Sequence, residues 1–144
     1  MTIDLVSING ESINLSRMGW NKIFDLAVNN GWEPMGTIRP SSWPEDEWCS
    51  DDYFSNAGQL VQSGDALELA DALVRVIPNL PEKREDIQPL EFKSNAELYE
   101  ALDDPKKREK LREYLRAIYI IHKGWESKLR ELISLCRSGE FIIL

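Results

Sequence analysis

The chain has 144 residues, 42% hydrophobic and 29% charged, with a formal net charge of −8 from 17 Lys and Arg against 25 Asp and Glu. That length fits a single globular domain over 1–144 with one core, and the acidic balance argues against nucleic acid or an anionic membrane as partner, because both require a concentrated positive surface. No apolar run approaches the ~20 residues of a membrane span, and Met1-Thr2-Ile3-Asp4-Leu5 lacks the basic flank and apolar core of a signal peptide, so a cytoplasmic location is expected.

A β-hairpin is predicted first. Ile3, Leu5 and Ser7 alternate with Asp4 and Val6, Asn9-Gly10 is a two-residue turn signal, and Ile13 and Leu15 follow between polar neighbours. Ser16 suits the N-cap of a helix whose apolar face is Trp20, Ile23, Phe24, Ala27 and Val28. Asn29-Asn30-Gly31 stops that helix, with Gly31 left-handed.

Residues 32–62 have no sustained periodicity, and Pro34, Gly36, Pro40 and Pro44 interrupt them. A structureless loop of this length is unusual in a compact domain. Trp32, Trp43, Trp48, Tyr53 and Phe54 are therefore expected to pin it against the body. A helix starts after Ser63, read as the cap, with Asp65 suited to the positive end of the helix dipole. Its predicted stripe is Ala66, Leu67, Ala70, Leu73, Val74 and Ile77, ended by Pro78 and Pro81. A charged linker covers 79–92.

Ser94 and Glu97 match a capping box at the head of a short helix bearing Leu98, Tyr99 and Leu102. Asp104-Pro105 opens the next helix as cap and first residue. Its stripe of Leu111, Tyr114, Leu115, Ile118, Ile121 and His122 continues in register through Trp125, Leu129, Leu132, Ile133 and Cys136. A single helix over 105–137 would be ~50 Å long, so a break near Gly124 is expected. Phe141-Ile142-Ile143-Leu144 reads as a strand that pairs with the hairpin. The fold class is thus α+β, mainly helical, with a small antiparallel sheet from the N-terminal hairpin and the C-terminal strand.

No set of residues announces catalysis. His122, the one histidine, sits on a helical stripe and reads as packed, and no Ser-containing elbow accompanies it. One His with the distant Cys49 and Cys136 offers neither zinc-ligand spacing nor a disulfide framework. Cys136 reads as a small core residue. The acidic run lacks the alternating ligands of a calcium loop. No metal and no cofactor is expected. Lys106, Lys107, Arg108, Lys110 and Arg112 resemble a basic patch, but Glu109 and Glu113 interleave them, which describes a solvated helix face.

The segments Trp20…Leu26-Ala27…Gly31-Trp32-Glu33-Pro34-Met35-Gly36-Thr37, Tyr53-Phe54-Ser55-Asn56-Ala57-Gly58-Gln59-Leu60-Val61, Asp65-Ala66…Leu69-Ala70…Ala72-Leu73 and Leu132-Ile133…Cys136-Arg137-Ser138-Gly139-Glu140-Phe141 resemble a family of small uncharacterised bacterial proteins. The resemblance covers about half the chain, chiefly 16–77 and 129–144. It implies a bacterial or phage origin and transfers no functional residue.

The leading expectation is a non-enzymatic protein-binding domain whose acidic, aromatic loop meets a basic protein partner. Trp43, Glu45, Asp46, Glu47, Trp48, Asp51, Asp52 and Tyr53 are its candidate binding residues. An immunity-like role, masking a basic toxin surface, is one concrete version. The alternative is an enzyme or small-ligand binder with a pocket between loop 32–62 and the helices, using Tyr53, Asn56, Gln59 and Asp65. A third reading is a homodimer through the amphipathic region 105–137.

Overall fold

The computed structural model describes residues 2–83, 92–118 and 120–144. Chain contacts divide it into two compact units, residues 1–81 with 121–144, and residues 82–120. The fold is α+β, as the sequence predicts: among the described residues there are five α-helices and one antiparallel sheet of five strands.

The first unit opens with β1 (Thr2–Ser7) and β2 (Ser12–Ser16). Ile3, Leu5, Ser7, Ile13 and Leu15 point inward at the period of two that the sequence shows. The hairpin loop is longer than the Asn-Gly signal suggests. Val6 pairs with Ser12, Gly10 donates to the Ser7 carbonyl at 3.0 Å, and Ser7 donates to Glu11 at 2.8 Å. Gly10 sits at φ +83°, so the connection is a three-residue turn with the glycine in the left-handed position.

Helix α1 (Arg17–Asn29) follows, capped by the Ser16 hydroxyl, which accepts from Gly19 N at 2.9 Å. It buries Gly19, Trp20, Ile23 and Ala27, whereas Val28 is exposed. Trp32 N donates to Ala27 O and Gly31 N to Val28 O, with Gly31 at φ +98°. These paired bonds satisfy carbonyls that the helix end leaves open, and only a residue comfortable at positive φ closes them.

The sheet is larger than the hairpin and last strand alone. Two short strands come from the aperiodic segment: β3 (Thr37–Ile38) and β4 (Gln59–Val61). With β5 (Phe141–Ile143) the order is β2-β1-β5-β4-β3. Strands of two and three residues are too short for alternation to be visible in sequence. The last strand occupies the centre, with Phe141 and Ile143 fully buried. Each such side chain contributes about 1.5–3 kcal/mol by leaving water.

Helix α2 (Ser63–Val76) begins one residue earlier than expected. Gln62 holds the cap position without a side-chain bond, and Ser63 is the first helical residue. The buried set is Asp65, Ala66, Leu69, Ala70, Ala72, Leu73 and Val76, while Leu67 and Val74 are exposed. The predicted stripe is rotated because α2 packs on two helices, α1 and α5 (Glu126–Arg137). Helix α5 buries Leu129, Leu132, Ile133, Leu135 and Cys136 on the same core.

The second unit contains α3 (Asn95–Asp103) and α4 (Pro105–Ile118). Ser94 Oγ accepts from Glu97 N at 3.2 Å, but the Glu97 carboxylate reaches Lys93 N rather than the cap itself. Asp104 accepts from Lys106 N at 3.0 Å, as a cap before Pro105 should. Helices α4 and α5 are separate, with a 3-10 turn over Lys123–Trp125 before α5. His122 consequently lies off any helical stripe. Its Nδ1 accepts from Gly124 N at 2.9 Å and caps that turn. The side chain of Ile118 and most of the 79–92 linker lie outside the described residues.

Candidate functional site

The segment from Gly36 to Asp52 is a closed loop of the kind whose ends meet. Its neck is made by Thr37, whose N–H donates to Ser50 O at 2.7 Å and whose hydroxyl donates to Asp52 O at 3.1 Å. Gly36 stands at φ +103°, and a Cβ there would lie 3.2 Å from Ser50 O, so two backbone runs meet where a side chain has no room.

One buried carboxylate holds this neck to the body. Asp65 is fully buried and accepts from Trp32 Nε1 at 3.0 Å, Met35 N at 3.1 Å and the Tyr53 hydroxyl at 2.6 Å. The Tyr53 hydroxyl in turn accepts from Gly36 N at 2.7 Å, and Trp20 Nε1 donates to Tyr53 O at 2.7 Å. Asp65 sits in the first turn of α2, where the helix dipole favours negative charge. Three donors and that dipole replace the water it has lost. Burial, reinforced by the bonded Asp65 carboxylate, pushes the pKa of Tyr53 upward. Burial pushes that of Cys136 up as well, with a smaller effect from the Asp65 charge. Cys136 is a core residue, as expected.

Aromatic packing completes the anchorage. Phe24 meets Trp32 at 5.0 Å, Tyr53 at 5.2 Å and Phe54 at 4.9 Å between ring centroids. Trp32, Tyr53 and Phe54 therefore pin the loop as expected. Trp43 and Trp48 do something else. They pack edge-on against each other, 5.8 Å apart, with Trp43 40% exposed. The Arg39 guanidinium donates to the carbonyls of Pro40 and Trp43 and holds that corner.

The candidate binding residues thus fall into two groups. Glu45, Asp46 and Glu47 form an exposed 3-10 turn, with exposed Asp51 farther along. Among the described residues no cationic side chain pairs with any of the four. Trp43 and half-buried Trp48 accompany them on the outer part of the loop. Asp52 and Tyr53 belong to the support. Asp52 accepts from Phe54 N at 2.9 Å, Ser55 N at 2.8 Å and the Ser55 hydroxyl. Partial burial opposes the ionised form of Asp52, but the bonds from Ser55 and Phe54 outweigh it and hold its carboxyl below the ordinary value.

The residues of the alternative reading are each engaged in hydrogen bonds. Tyr53 and Asp65 bond each other. Gln59 is buried, accepting from Ala57 N and donating to Ser55 O and Asp52 O. Asn56 accepts from Arg17 at 3.2 Å. A cavity of about 250 Å³ does lie beside the loop's start, lined by Gly31, Glu33, Glu68, Asp71 and Arg75. The sequence reading missed these residues, because Glu33 and the α2 face are brought together only by packing. Among the described residues, no group of three or more His, Cys, Asp or Glu side chains is placed to hold a metal ion. No described helix is long and apolar enough to cross a membrane. Compared with known proteins, the chain matches no family model, no curated protein and no solved structure.

Proposed function

We propose that this chain is a non-enzymatic protein-binding domain whose outer loop receives the cationic side chains of a basic protein. The observation that carries the reading is the contrast within the loop. Its neck is fixed by a satisfied buried network, while Glu45, Asp46, Glu47 and Asp51 stand exposed and, among the described residues, without a cationic partner, beside an exposed Trp43. Concentrated like charge on a rigid loop is relieved by an opposite charge, and such complementarity speeds encounter and selects partners. A Lys or Arg approaching the tryptophan pair also gains from a ring face. An immunity-like role, with the loop covering a basic toxin surface, is the concrete version. The proposed setting is the bacterial cytoplasm.

The test is affinity capture from the native host at low salt, with wild type and a Glu45→Lys, Glu47→Lys, Asp51→Lys variant as baits. A basic protein retained by wild type, lost from the variant and eluted by moderate salt supports the reading. Absence of any such partner, or a complex indifferent to salt and to the variant, overturns it.

A second reading, small-ligand binding, rests on the cavity lined by Glu33, Glu68, Asp71 and Arg75. Three carboxylates around one guanidinium favour a cationic ligand. Arg75 already donates to Asn30 O through two nitrogens, at 3.0 and 2.8 Å, so its charge serves the α1 end first. Titration with a small polyamine, followed by calorimetry on wild type and Glu68→Gln, checks it. Heats that are equal for the two proteins dismiss this site.

A further inference from the structure

The unit formed by residues 82–120 buries little among its described residues. Among its described residues only Ala101 is buried. Tyr99 is 67% exposed, and Leu102 and Leu115 are 39% and 40% exposed. Leu98 and Leu102 are one turn apart on α3, and Leu111 and Leu115 one turn apart on α4. Each pair is the start of an apolar stripe at helical spacing, with Leu98 and Leu111 half-buried and Leu102 and Leu115 exposed. These faces are built to meet another surface.

The charges identify that surface. Helix α3 carries Glu97, Glu100 and Asp103 and no basic residue. Helix α4 carries Lys106, Lys107, Arg108, Lys110 and Arg112 against only Glu109 and Glu113 up to Leu115. This positive helix is exceptional in a chain of net charge −8. An acidic helix and a basic helix joined in one hairpin are complementary to themselves under a two-fold rotation. A dyad sets α3 of one copy against α4 of the other twice over, as an isologous interface requires. Helix α5 offers no competing face, because its apolar stripe already lies in the core.

We propose that a second copy of this chain docks on the α3–α4 face and forms a symmetric dimer with a four-helix interface. The expected contact residues are Leu98, Tyr99, Leu102, Leu111 and Leu115, with acidic α3 facing basic α4 across the dyad. The proposed face uses none of the acidic loop's residues.

Sedimentation equilibrium of the full chain tests this, with circular dichroism confirming that each variant keeps its helices. Wild type is expected at twice the chain mass over micromolar concentrations. Leu102→Glu with Leu115→Glu should weaken association by at least about thirtyfold, the effect of losing central contacts. Glu97→Lys with Glu100→Lys, both on exposed positions, should weaken it by about tenfold, and adding Lys107→Glu with Lys110→Glu should restore it. A wild-type monomer at every concentration overturns the proposal, as does a dimer that ignores both sets of changes. Glu45→Lys with Glu47→Lys should leave the dimer intact, so this proposal and the loop reading fail separately.

Discussion

Asp65 and the carboxylates of the outer loop are the same chemistry in opposite situations. Asp65 is fully buried, receives three hydrogen bonds and stands at a helix N-terminus. Glu45, Asp46, Glu47 and Asp51 are exposed and meet no cation among the described residues. The buried charge determines shape, because removing it takes the acceptor from three donors, two of them in buried bonds. The exposed charges determine potential, because water already solvates them and the fold does not depend on them. Shape and potential are therefore separable by mutation.

The sharpest break of this contrast is Asp65→Ala. It leaves Trp32 Nε1, Met35 N and the Tyr53 hydroxyl without their acceptor, and should lower unfolding free energy by about 3–5 kcal/mol in urea titrations. Tyr53→Phe should cost less, about 1–2 kcal/mol, since the ring still packs on Phe24 while the Gly36 N–H loses its acceptor and Asp65 loses one donor. Gly31→Ala comes next, at about 1 kcal/mol, from the positive φ and a new Cβ 3.1 Å from the Arg75 guanidinium.

The pH dependence follows from the same contrast. The folded pKa of Tyr53 is raised, so the native state holds its proton more tightly than the unfolded chain. Its contribution is fully present below the unfolded value of about 10 and is lost as pH rises beyond it. Tyr53→Phe should thus flatten the alkaline limb of a stability profile. Asp52 works in the other direction. Its lowered folded pKa contributes stability above the unfolded value of about 3.9, lost as pH falls through the folded one. Asp52→Asn should flatten the acid limb. The smallest effect on stability belongs to Glu45→Lys with Glu47→Lys, within about 0.5 kcal/mol of wild type. The same variant should show the largest change in binding a basic partner, and a large loss of stability would show that the two kinds of carboxylate are not separable.

Much of this was legible in the residues. Period-two alternation at Ile3, Leu5, Ile13 and Leu15, the caps at Ser16 and Asp104, and the Gly31 stop are local features, and each stands where the sequence places it. The loop's aromatic anchors were legible as a group, but their division was not. Trp32 and Tyr53 are buried, whereas Trp43 and Trp48 pack on each other, and nothing in their flanking residues separates the pairs. Asp65 was legible as a helix-start residue, and its inward turn was not.

Local chemistry thus determined the helices, the hairpin, the last strand, the acidic charge and its concentration at 45–52, because backbone preference and charge act over a few residues. Tertiary structure decided which carboxylate became the buried hub, which strand took the centre of the sheet and which side of α2 faced inward. Those outcomes depend on donors and surfaces from distant segments: Trp32, Met35 and Tyr53 meet Asp65 only once the loop closes, and α1 and α5 together decide what α2 buries.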